Sequence, residues 1–77
     1  MRDRIRAFIV DSFLFGEDKN LKDGTSFLDE GILDSTGILE LVSYLEEEFS
    51  IAVDDDDLIP ENLDSIDNVV TYLQRKM

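Results

Sequence analysis

Asp34-Ser35-Thr36-Gly37-Ile38-Leu39-Glu40-Leu41-Val42-Ser43-Tyr44-Leu45-Glu46-Glu47-Glu48-Phe49 decides the fold of this chain. Ile38, Leu41, Val42, Leu45 and Phe49 fall at spacings of three, one, three and four, which winds them into one apolar stripe of a helix over 35–49. Glu40, Ser43, Glu46 and Glu47 fall on other faces. Asp34 precedes the first turn, where its carboxylate accepts from free backbone N–H groups, so it is the expected N-cap.

Upstream, residues 16–34 carry loop signals: Gly16, Asn20, Asp23-Gly24-Thr25-Ser26 and Gly31. A loop of that length in a compact domain has to be functional or pinned. Leu21, Phe27, Leu28, Ile32 and Leu33 are the side chains that would pin it, with a single helical turn near 27–30. Before it, Ile5, Phe8, Ile9 and Phe13 make the stripe of a helix over 2–15, with Gly16 as its stop.

Downstream, Ile51-Ala52-Val53 is too short and too isolated to form a sheet and reads as a connector with buried side chains. Asp54–Asp57 suit the positive end of a short helix near 55–59, which Pro60 would end. Ile66, Val69, Val70 and Leu73 mark a last helix over 65–76, capped by Asp64 or Ser65 and closed by Arg75 and Lys76. The fold class is therefore all-α: a small four-helix bundle of three long helices and one short one, with a long loop between the first and second, forming one domain over 1–77.

Composition removes most chemistry. The chain has no cysteine and no histidine, so disulfides, thiol catalysis, an ordinary zinc site and the usual neutral-pH base are absent. Leu33 stands where a G-x-S-x-G nucleophile elbow around Ser35 needs its first glycine. A bundle of this size has little room for a cleft with facing carboxylates. The chain is not expected to be an enzyme. Counted from Asp54, the sixth and seventh positions are Ile59 and Pro60, so the acidic run fails as an EF-hand loop. Diffuse binding of divalent cations at Asp54, Asp55, Asp56 and Asp57 remains an expectation, beside a solvated and capping acidic run.

Net charge is −12, from 19 acids and 7 bases. From Asp23 to Gln74 there are 15 Asp or Glu and no Lys or Arg, while the bases stand near the ends. Such a surface repels nucleic-acid phosphates and attracts partners with basic patches. No apolar run approaches the ~18 residues that span a membrane. The basic start is followed by an apolar stretch broken at Asp11 and Ser12, which reads as a helix and not as a signal peptide. A cytoplasmic monomer is expected.

The segment from Gly31 to Val42 joins a loop, an acidic N-cap, a serine in the first turn and an acidic amphipathic helix. With Asp34-Ser35 five residues before Glu40-Leu41, then Glu46-Glu47-Glu48-Phe49, Ile51-Ala52-Val53, the acidic run with Leu58-Ile59-Pro60, and Ile66–Leu73, the chain resembles the acyl carrier and peptidyl carrier protein family over nearly its whole length. The resemblance implies that Ser35 accepts 4′-phosphopantetheine from coenzyme A through a phosphopantetheinyl transferase, with Asp34 as the cap beside it. The arm then bears acyl or aminoacyl cargo as a thioester, loaded by a ligase or acyltransferase and received by downstream enzymes. It also implies docking through Thr36, Glu40, Ser43, Glu46 and Glu47.

Fatty-acid-type carriers usually have Leu after the serine, whereas here Thr36 and Gly37 follow it. That pattern is closer to stand-alone carriers of specialised pathways. Gly37 weakens the helix by roughly 0.5–1 kcal/mol relative to Ala; either a partner or the arm approaches the backbone there, or the position is tolerant. Val42, Leu45, Phe49, Ile59 and Val70 are candidates for an acyl pocket and equally for plain core. An acidic interaction module without a prosthetic group, or a calcium-responsive domain, are the alternatives from other classes.

Overall fold

A computed structural model describes residues 1–14, 16 and 21–77. The expected end of the first helix at residue 15 and the loop signal at Asn20 lie outside them. Four α-helices follow in order: α1, Arg2–Phe13; α2, Ser35–Phe49; α3, Pro60–Leu63; and α4, Ile66–Lys76. No strand occurs among the described residues, so the all-α bundle with three longer helices and one short one stands as read.

Each helix buries the stripe its spacing defines. Ile5 and Ile9 of α1, Leu41 and Leu45 of α2, Leu63 of α3 and Ile66, Val69 and Leu73 of α4 meet in one core. The connector behaves as expected, with Ile51 and Val53 half-buried against that core. Beyond α1, Gly16 takes φ 82° and its N–H returns to the Val10 carbonyl at 3.0 Å, which closes the helix end.

The long loop is pinned by its apolar side chains and by charge. Leu21, Phe27 and Leu33 are buried, Ile32 is half-buried, and Leu28 stays 44% exposed. Arg6 donates to the Leu21 carbonyl at 2.7 Å and to the Asp23 carboxylate, Arg2 reaches both Asp23 and Asp67, and the Asp67 N–H donates to the Asp23 carbonyl at 2.9 Å. Terminal cations thus return to acids of the loop and of α4. The turn expected near 27–30 is present: the Glu30 N–H donates to the Ser26 carbonyl at 3.1 Å and the Ile32 N–H to the Phe27 carbonyl at 2.8 Å.

The third helix is where the sequence reading is corrected. Residues 55–57 form only a single 3-10 turn, and the α-helical turn begins at Pro60 instead of ending there. Proline suits a first helical position, because its missing N–H would have had no intrahelical partner and its φ is already helical. Ile59 before it is extended, at φ −123° and ψ 152°, as a residue preceding proline should be.

Candidate functional site

Ser35 is the first residue of α2 and is exposed to solvent. Asp34 is extended at φ −111° and ψ −169°, and its Oδ1 accepts the Gly37 N–H at 2.8 Å. The cap read from the sequence is thus made, and it fixes the turn that presents the Ser35 hydroxyl. An anion esterified to that oxygen would sit at the positive end of a 15-residue helix, beside backbone N–H groups of its first turn.

Gly37 is buried although it lies in the first turn, and no positive φ demands glycine there. A Cβ at this position would stand 3.1 Å from Leu33 Cδ2 and 3.2 Å from Phe13 Cε1. The close approach at Gly37 is therefore made by the chain's own side chains. The end of α1 and the end of the loop both press against the head of α2, which holds Ser35 at a defined place on the bundle.

Beside Ser35 lies a cavity of about 360 Å³ between α2, the 58–60 segment and α3. Its walls are Ile38, Leu39, Leu58, Ile59, Pro60 and Leu63, with Leu28 and Asp64 on the loop side. That volume is within the range of small-ligand sites, about 300–1,000 Å³. Of the five residues expected to line an acyl pocket, only Ile59 does so; Leu45 and Val70 are buried in the core, and Val42 and Phe49 pack against it half-buried. The reason is the position of α3: because it begins at Pro60, the cleft opens at the head of α2 and not along its middle.

Thr36, Glu40, Ser43 and Glu47 are exposed along α2. Glu46 is half-buried, and its Oε2 accepts the Val53 N–H at 2.9 Å, so that carboxylate also ties α2 to the connector. The ion pairs among the described residues join Arg2 and Arg6 to Asp23, Arg2 to Asp67, Arg4 to Glu48, and Lys76 to Asp54 and Asp57. None of these uses Glu40 or Glu47, so the α2 face keeps its negative charge.

Sequence reasoning missed Leu39, which is 58% exposed and lines the cavity. A usable signal was present, since Leu39 lies about 100° around the helix from Ile38 and off the Ile38-Leu41-Val42-Leu45 stripe. Asp64, one of the two caps expected for α4, has another role. Ser65 alone caps α4, accepting the Asn68 N–H at 3.1 Å, while the Asp64 carboxylate turns to the loop.

The acidic run is partly internal. Asp57 accepts the Tyr72 hydroxyl at 2.8 Å, and its carbonyl accepts from Asn62 Nδ2 at 3.0 Å. Lys76 Nζ approaches Asp54 and Asp57 at 3.7 and 3.6 Å. Burial, followed by the Asp57 hydrogen bond, pushes the Tyr72 phenol up to about 12. Among the described residues no group of three His, Cys, Asp or Glu is arranged to hold a metal ion.

An exposed serine at the head of an acidic helix that Asp34 caps, beside an apolar cavity, is the arrangement expected of a carrier. Comparison with known proteins agrees. Residues 9–73 match the family described as "Phosphopantetheine attachment site". The acyl carrier protein of Bdellovibrio bacteriovorus is 36% identical over 73 residues, covering 95% of this chain and 90% of the relative. That of Chlamydia muridarum is 30% identical over 76 residues, covering 99% and 95%. The probable acyl carrier protein PigG of a Serratia species is 30% identical over 75 residues, covering 97% and 86%. A chain in a crystal structure described as that of a FAD-dependent dehydrogenase superposes with a TM-score of 0.80 at 22% identity, over 90% of this chain and 97% of that one, a likeness of fold.

The chain belongs to the phosphopantetheine-bearing acyl carrier protein family. It is a carrier and not an enzyme, its prosthetic group is covalent 4′-phosphopantetheine, and it works with a phosphopantetheinyl transferase and with biosynthetic enzymes. Among the described residues no helix is long and apolar enough to cross a membrane.

Proposed function

We propose that the 77 residues act as one carrier domain whose Ser35 bears the phosphopantetheine arm, and that the cargo is an apolar acyl group of a specialised pathway. The arm, once attached, supplies a terminal thiol that holds cargo as a thioester. The rest of the work falls to the chain itself. Asp34 and the Gly37 contacts hold the hydroxyl in the open, where a transferase that brings its own base and metal can reach it.

The observation that carries the reading is the shared edge of Ser35 and the apolar cavity. Apolar cargo gains about 25 cal/mol for each Å² it removes from water, and the cavity walls offer that surface within reach of the attachment point. An aminoacyl ammonium would gain nothing from the walls of Leu, Ile and Pro, and the one acid of the lining, Asp64, already accepts from the loop through both oxygens.

Thr36, Glu40, Ser43, Glu46 and Glu47 form the docking face for basic patches on the loading ligase or acyltransferase and on downstream enzymes. Each exposed ion pair contributes about 0.2–1 kcal/mol, so several act together. Copies carrying −12 repel one another, which supports a monomer. The cytoplasm is the compartment proposed for this work.

Incubation with coenzyme A and a broad-specificity transferase should add one arm, seen by intact mass and abolished by Ser35→Ala. No gain with several transferases would refute the assignment. Intact mass of the protein from its native host, cargo attached, then identifies the acyl group.

A further inference from the structure

We propose that Asp64 is a positioning residue for the Ser35 end of the molecule, because its carboxylate latches the loop segment that forms one lip of the cavity. The inference rests on the reading of Ser35 as the attachment site and extends it to the residue that sets how well cargo is sheltered there.

The latch joins two segments far apart in sequence, the 26–29 turn and Asp64 at the junction of α3 and α4. Asp64 Oδ1 accepts the Leu28 N–H at 2.9 Å, and Oδ2 accepts the Ser26 hydroxyl. Ser26 Oγ in turn accepts the Asp29 N–H at 3.1 Å, so one carboxylate orders the backbone of both 28 and 29. The Asp64 carbonyl separately accepts the Phe27 N–H at 2.7 Å. Phe27 is fully buried, and its burial and backbone bond anchor the loop whatever happens to the Asp64 side chain. Leu28, one residue on, is 44% exposed and has little burial to hold it. Besides the Gly31 N–H, which donates to the Leu28 carbonyl at 3.2 Å, its place on the cavity wall therefore depends on the carboxylate.

Asp64 also lines the cavity itself, at the junction between α3 and α4. Both its oxygens already accept hydrogen bonds from the loop, so the carboxylate enters the cavity edge satisfied. Without it, the turn at Leu28 and Asp29 would open while the core beneath stays packed. The cavity would lose a lip and its contents would meet water.

The test uses the holo protein loaded with an octanoyl thioester, with loading verified by intact mass. Two rates are read: amide exchange at Leu28, on both the unloaded and the loaded protein, and cleavage of the thioester by hydroxylamine. Asp64→Ala should raise both about fivefold, the population ratio that one net hydrogen bond supports. Asp64→Asn should stay near the parent, since its oxygen still accepts from Leu28 and its amide can donate to Ser26 Oγ. Asp11→Ala, which removes an exposed acid of α1 away from the cavity, should leave both rates unchanged. Ser26→Ala, which removes one arm of the latch, should give an intermediate rise and serves if Asp64→Ala does not fold.

A loaded, folded Asp64→Ala protein with parental rates would overturn the inference. So would an equal rise in Asp11→Ala. A chain that takes no arm at Ser35 would instead remove the functional reading beneath it, a different result seen at the first mass measurement.

Discussion

Gly37→Ala sets two opposing effects against each other at the head of α2. Alanine in a helix interior is favoured over glycine by about 0.8–1.0 kcal/mol, so an exposed helical glycine would be improved by the change. Here the new methyl would stand 3.1 Å from Leu33 Cδ2 and 3.2 Å from Phe13 Cε1. Ordinary contacts between carbons are about 3.5–4.0 Å, so both neighbours must retreat by a few tenths of an ångström. Phe13 is half-buried and has room to move, whereas Leu33 is 3% exposed and lies in the core. Inserting a methyl into a packed site costs about 1–3 kcal/mol. Subtracting the helix gain leaves a net loss of about 1 kcal/mol, or about 4–8 °C in Tm for a domain of this size.

The assay is thermal and urea unfolding of Gly37→Ala, of Leu33→Val, which withdraws Cδ2, and of the double variant. In the Leu33→Val background the alanine should be less harmful by at least about 0.5 kcal/mol, the lower end of coupling between residues in contact. A Gly37→Ala protein that melts higher than its parent, or a cycle that closes without coupling, would refute the claim that close packing selects glycine here.

Asp34→Ala should cost about 0.5–2 kcal/mol through the lost cap, with Tm lowered and arm transfer to Ser35 slowed; parental values for both would show the cap to be dispensable. Tyr72 is neutral in the folded state up to about 12, above its ordinary value of 10.0, so its share of stability is complete below pH 10 and is lost as pH rises from there through 12. Urea titrations should show that decline, and Tyr72→Phe should flatten it. Glu40→Lys with Glu47→Lys should reduce the association rate with a basic partner enzyme and weaken its dependence on salt, measured by stopped flow, with holo stability little changed. Equal association rates at low salt would exclude this face from docking.

The local rules were enough for the three longer helices and for the place of Ser35 at the head of the second. A 3.6-residue period fixes which face of 35–49 turns inward, and an Asp before the first turn fixes where that helix starts, because both effects act within a few residues. Ser35 at the head of that helix and its cap were therefore legible in sequence, as were the buried Leu41 and Leu45, while Asp64 and Ser65 stood as alternative caps of α4 and the structure selects Ser65. Pro60 was read as a stop, whereas the structure puts it at the first position of a turn whose Leu63 packs into the core.

What the tertiary structure decided are the relations between segments that chain order leaves undetermined. Nothing near Gly37 in sequence announces the Phe13 ring, nothing near Asp64 announces Ser26 and Leu28, and no spacing rule places Ile59 and Leu28 on either side of the cavity beside Ser35. Helix period and capping are short-range, whereas a cavity is the space left when four elements close on one another, so its walls exist only after the fold has formed.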